Sequence, residues 1–106
     1  MIDALDLRFQ ALGHPARRRI IARLGHGPAT VAEAGRGAQA SKAGMTKHVH
    51  ILERAGLVRR TVRGRTHILT LERSALDDTA AWIDAQRAMW ERRFDIVAEY
   101  LAEEES

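Results

Sequence analysis

Apolar residues recur at helical spacing through most of the chain and switch to strict alternation in one stretch only. Leu5, Phe9 and Leu12 share a face and predict a short helix over residues 1–12. "GHP" at 13–15 punctuates it, and Pro15 suits the first turn of a second helix in which Ile20, Ile21 and Leu24 point inward. Beyond the turn "GHGP" at 25–28, Thr30 is placed to cap a short, weakly hydrophobic helix over residues 31–35. Ser41 is placed to cap a longer helix over residues 42–55, which ends at Gly56, a favoured residue just past a C-terminus. Met45, Val49 and Leu52 form its buried stripe, and His48 borders that stripe. The alternating stretch predicts a hairpin: residues 57–62, a tip at Arg63-Gly64, and residues 65–71, with His67, Leu69 and Leu71 on one face. Ser74 is read as the opening of a long last helix, Asp77 completing a short-armed capping box. Trp90, Phe94, Val97 and Leu101 form a stripe along that helix, and Trp82, Ile83 and Met89 add bulk nearer its start.

Charge changes this picture, because it is unevenly placed. The formal net charge is only +3. From Ala34 to Leu71, however, eight Lys/Arg face one acid, whereas from Glu72 to Ser106 four face ten acids. Five arginines and no acid lie between Glu53 and Glu72, four of them on a hairpin where burial cannot reward them. A basic middle followed by an acidic end predicts a polyanion-binding face and a separate module that avoids it. The fold class expected is mainly α with a small β-hairpin: two helices joined by a tight turn, then a hairpin with a basic tip, a winged helix-turn-helix.

The segments "GHPARRRIIARL", "ASKAGMTKHVHILERAGLV" and "RGRTHILTL" resemble, in that order across residues 10–71, the bacterial ArsR/SmtB family of transcriptional regulators. The middle segment is the most specific of the three. The last helix, with "AMWERRFD", is similar to members that lack metal ligands and act as stand-alone repressors. The resemblance implies one domain over 1–106, with an N-terminal dimer helix at 1–13, a DNA-binding core and wing at 14–71, and a C-terminal dimer helix at 74–104. Several positions depart from the family pattern. Ala34, Ala38 and Ala40 stand where larger apolar residues are usual, and Lys42, Ala43 and Gly44 begin the recognition helix where Gln, Ser, Pro and Ala are common. Leu69 replaces the usual Tyr; with these departures together, base preference is not carried over from relatives.

A helix of about 10–12 Å diameter fits the DNA major groove. Lys42, Ala43, Thr46, Lys47 and His50 are the residues expected to face it, with Thr46 and Ala43 suited to a thymine methyl and the lysines to guanine O6/N7. Arg63 and Arg65 at the hairpin tip are expected to reach a phosphate or a neighbouring minor groove. Arg17, Arg18, Arg59 and Arg60 are candidates for phosphate contacts, which position without reading sequence. His48 and His67 are read as packing residues. Leu5, Phe9, Trp82, Trp90, Phe94, Val97 and Leu101 are the candidate dimer interface, since so small a chain has little else to cover them. A twofold dimer implies an inverted-repeat operator in double-stranded DNA.

Other classes find little support. With 45% apolar residues, wholesale disorder is not expected. There is no cysteine, which removes disulfides and thiolate metal sites, and all five histidines precede the last helix. No metal, cofactor or catalytic group is therefore expected; Thr46 and Thr66 lie near histidines but lack a carboxylate placed to orient the base. No apolar run approaches the ~20 residues of a membrane span, and Asp3, Asp6 and Arg8 make the start unlike a signal peptide. A cytoplasmic homodimeric repressor with an unassigned effector is the expectation. The alternatives are an interaction module binding protein or nucleic acid non-specifically, and a metal-responsive repressor with an atypical site.

Overall fold

The computed structural model describes residues 2–105. Helix α1 runs Ala4–Leu12, α2 Pro15–Leu24, α3 Val31–Ala38, α4 Lys42–Arg54 and α5 Arg73–Glu105. Strands β1 (Ala29–Thr30), β2 (Val58–Arg63) and β3 (Thr66–Leu71) form one antiparallel sheet in the order β1-β3-β2. The chain divides into two compact units, Met1–Leu76 and Asp77–Ser106.

Local chemistry sets most boundaries in the first unit. Asp3 caps α1 by accepting from the Asp6 amide at 2.9 Å, so the helix starts at Ala4; Met1, where the sequence reading began it, lies outside the described residues. Pro15 occupies the first turn of α2, and His14 caps it by accepting from the Ala16 amide through Nδ1 at 3.1 Å. Thr30 caps α3 through a reciprocal box with Glu33, whose amide donates to Thr30 Oγ1 at 3.1 Å. That bonding holds the Glu33 carboxyl below its ordinary pKa, the Thr30 hydroxyl contributing most. Ser41 caps α4 as expected, accepting from the Gly44 amide at 3.0 Å.

Helix α4 closes in a paired-bond motif: Gly56 N–H donates to Glu53 at 3.0 Å and Leu57 N–H to Leu52 at 3.1 Å. Gly56 sits at φ +74°, a conformation that side chains resist, and this turn delivers the fully buried Leu57 beside the fully buried Leu52. With Ile20, Val49 and Leu69 these are the largest buried side chains of a core drawn from α2, α4 and the sheet. Burying each contributes roughly 1.5–3 kcal/mol. Ile21, expected inward beside Ile20, is only partly buried against this core. On α1, Leu7, Ala11 and Leu12 meet the core, while Phe9 stays 37% exposed.

Four sequence expectations shift. Helix α3 continues to Ala38 instead of stopping at Gly35. There, a Cβ on Gly35 would come within 3.0 Å of Met45 Cγ, so the glycine permits close approach of α3 to α4. A two-residue strand, β1, was not expected: Ala29 and Thr30 pair with Leu69 and Ile68 along the free edge of β3. The hairpin turns one residue later than read, since Arg63 pairs with Thr66 and leaves Gly64-Arg65 as the two-residue loop, Gly64 at φ +62°. Finally, α5 begins at Arg73, so Ser74 lies inside its first turn and is no cap.

Candidate nucleic-acid interface

Helix α3, the turn through Gln39, which adopts a left-handed φ of 55°, and helix α4 form the helix-turn-helix; β2 and β3 form the wing. On α4 the three stripe residues Met45, Val49 and Leu52 are buried, which turns Lys42, Ala43, Thr46, Lys47 and His50 outward, and all five are exposed. Thr46 Oγ1 donates back to the Lys42 carbonyl at 3.2 Å, which commits its hydrogen and leaves its methyl and lone pairs for a partner. Lys42 and Thr46 line one cleft together with Arg60, Arg65, Thr66 and His67 from the wing. The start of α4 and the wing tip therefore border a single concavity. Ala43, Lys47, His50 and Arg63 lie outside its lining.

The remaining candidate arginines have internal partners. Arg17 donates through Nε to the Ala11 carbonyl at 2.6 Å and through Nη2 to that of Gln10 at 3.1 Å. Arg18 donates to the Leu12 carbonyl at 2.7 Å. These carbonyls belong to the C-terminal turn of α1, which has no basic residue of its own; that of Gln10 also accepts from the Gly13 amide. The cations that open α2 against its own dipole thus complete the preceding helix. Arg60 is ion-paired to Glu53 at 2.5 Å and lies 3.3 Å from His67 Nδ1, tying the wing to the end of α4. Arg59 is paired with Glu72 at 3.3 Å but remains largely exposed. In contrast, no ion pair forms at Lys42, Lys47, Arg63 or Arg65 among the described residues.

His48 is half-buried on α4, with Arg17 Nη1 3.3 Å from its Nδ1 and the His14 ring 4.6 Å from its own. Burial lowers its pKa from 6.5, and the nearby charges of His14, Arg17 and Lys47 lower it further. This cluster of α1–α2 junction and recognition helix was legible only as a packing role for His48; the spacing of residues 14, 17 and 48 carried no signal of it.

Comparison with known proteins agrees with this geometry. The helix-turn-helix domain family matches residues 12–61. A crystal structure of an ArsR family transcriptional regulator superposes with a TM-score of 0.78 at 35% identity, covering 84% of this chain and 98% of that one. The chain belongs to the ArsR family of transcriptional regulators. Among curated proteins, the HTH-type transcriptional regulator Rv2034 of Mycobacterium tuberculosis is 34% identical over 71 residues, 67% of this chain and 66% of its own length. The chain thus spans about two thirds of that relative. The solution structure of a homodimeric winged helix-turn-helix domain from Mycobacterium bovis, 17% identical, shares the fold with a TM-score of 0.63 over 87% of this chain and 82% of that one. For this ArsR-family chain the winged helix-turn-helix reading therefore holds, with transcription regulation as its sphere. Among the described residues no helix is long and apolar enough to cross a membrane.

Proposed function

We propose that this ArsR-family protein is a homodimer that reads an inverted-repeat operator in double-stranded DNA and represses by occluding polymerase. The observation that carries the reading is the exposed start of α4, where Lys42 has no ion pair among the described residues, facing Arg65 of the wing across one cleft. Lys42, Ala43, Thr46, Lys47 and His50 are assigned to the major groove, and Arg63 and Arg65 to the flanking phosphates or minor groove. Arg59, whose ion pair is solvent-exposed, can exchange Glu72 for a phosphate at little cost. Arg17, Arg18 and Arg60 are assigned mainly to positioning the helices that make the contacts, because their guanidinium groups already have internal partners.

Pairing of two copies is supported by the apolar groups that α5 leaves uncovered, among them Trp90, Phe94, Val97 and Leu101, each more than half exposed. The Mycobacterium bovis domain of the same fold is described as homodimeric. Leu5, Phe9 and Trp82 add to the proposed interface. The proposed regulation is without a metal, since the sequence has no cysteine to supply a thiolate ligand. Matched proteins are named as transcriptional regulators, which supports a binding function.

A competitor-DNA titration tests the proposal. Genome-selected duplexes should show one site preferred by ~10³ or more over random DNA. Equal affinity for every duplex would replace the operator reader with a non-specific nucleic-acid coat.

A further inference from the structure

We propose that the cleft between α3 and α4 binds a small amphiphilic anion, an alkyl or aryl chain ending in a carboxylate or phosphate, and that this ligand and DNA exclude one another. The cleft has a volume of about 410 Å³, within the range of small-molecule sites, ~300–1,000 Å³. Its wall is apolar, formed by Val31, Ala32, Gly35, Ala40 and Met45, and the exposed Lys42 and Thr46 stand at its rim. The space follows from this chain's own small side chains. Gly35 already admits Met45 to the limit of contact, while the one-carbon side chains of Ala32 and Ala40 leave the neighbouring volume unfilled.

What the cleft opens onto specifies the head group. A second concavity of about 550 Å³ shares Val31, Ala32, Lys42 and Thr46 with the first, and adds Thr30, Arg60, Arg65, Thr66 and His67. No carboxylate lines either space. Arg60 is held by Glu53, but Lys42 and Arg65 have no ion-pair partner among the described residues. A ligand with an apolar body in the first space therefore finds the Lys42 ammonium, the Arg65 guanidinium and the Thr66 hydroxyl for an anionic end in the second. The hydroxyl hydrogens of Thr30 and Thr46 are already given to Glu33 and the Lys42 carbonyl. A cationic amphiphile would meet like charge, and a neutral one would leave the donors unused.

The consequence for regulation rests on the DNA reading above; the binding itself does not. Lys42 and Arg65 would serve both the ligand's head group and the operator. Each partner thus lowers the affinity for the other, and the coupling is reciprocal.

Decanoate, kept below its micelle concentration, is the probe, titrated into the isotopically labelled full chain without DNA. Saturable amide shifts are expected at Val31, Ala32, Gly35, Ala40 and Met45, with decanol and decyltrimethylammonium each binding about tenfold more weakly. Ala32→Leu, or Ala40→Leu should the first fold poorly, fills the space and should abolish the shifts. Decanoate should displace duplex DNA from the unsubstituted protein. Non-saturating shifts, shifts confined to α5, or equal affinity for the alkylammonium would overturn the site. Cleft shifts without displacement would overturn the exclusion. Duplex affinity measured without decanoate reports on the DNA reading separately, so the two failures are distinguishable.

Discussion

Arg17 belongs to the segment through which the chain resembles its family, and its guanidinium makes two bonds to α1 carbonyls and lies within reach of His48. A charge-assisted bond of this kind contributes about 1.5–3 kcal/mol when shielded, and Arg17 is half-buried. Arg17→Ala should therefore lower stability by about 1–3 kcal/mol, read as a shift in urea midpoint with unchanged slope. Arg17→Lys, which cannot bond both carbonyls and the ring from one fork, should recover part of the loss. His48 allows a pH test. Its folded pKa lies below 6.5, first because of burial, then because of the surrounding cations. On acidification the unfolded chain takes up the proton before the folded one does. Stability linked to His48 is thus fully present at neutral pH and declines as pH falls below ~6.5. Comparing urea midpoints at about pH 7.5 and about pH 5.5, His48→Gln should flatten that decline; an unchanged slope with pH would assign it to other groups.

At the scale of elements, the helix-turn-helix depends on how α3 and α4 approach each other. The local window of α3, with Gly35 and Gly37 and few apolar groups, argues for a helix that stops early. Docking of Met45 against Gly35 and the capping box at Thr30 outweigh that weak propensity, and the helix reaches Ala38. Helix α4 was legible because its signals agree: a Ser41 cap, a stripe at i, i+4 and i+7, and a glycine stop. Strand β1 was not, since two residues carry no period and pair only because β3 offers an edge. On the proposed DNA reading, the wing supplies affinity and not specificity. Replacing Arg63 and Arg65 together with Ala should weaken binding to all duplexes alike. The slope of log affinity against log salt should fall by about one for each phosphate that is no longer neutralised. A fluorescence-anisotropy titration across salt concentrations measures it, and an unaltered slope would remove the wing tip from the interface.

For the whole molecule, the apolar groups of the last helix call for a second surface to cover them. Phe94 is 72% and Trp90 53% exposed in the single chain, too much apolar surface in one stripe to leave in water. Trp90→Ala or Phe94→Ala should convert dimers into monomers or unfolded chains, measured by light scattering behind a sizing column; a normal dimer would refute the assignment. A repressor that binds paired half-sites should lose its operator in the same variants, because each half-site alone contributes only part of the affinity.

Periodicity, capping residues and charge run along the backbone, so the sequence by itself determined the main helices, the hairpin and the basic middle against an acidic end. Which cations remain open to a partner was decided only by tertiary structure. Arg17 reaches His48 across 31 positions, and Arg60 meets Glu53 and His67 from another strand and helix. Lys42 and Arg65 come to one cleft with no acid beside them. A side chain's local neighbours set the element it joins, but the partner for its charge depends on which faces the packed core brings together, and no local pattern encodes that meeting.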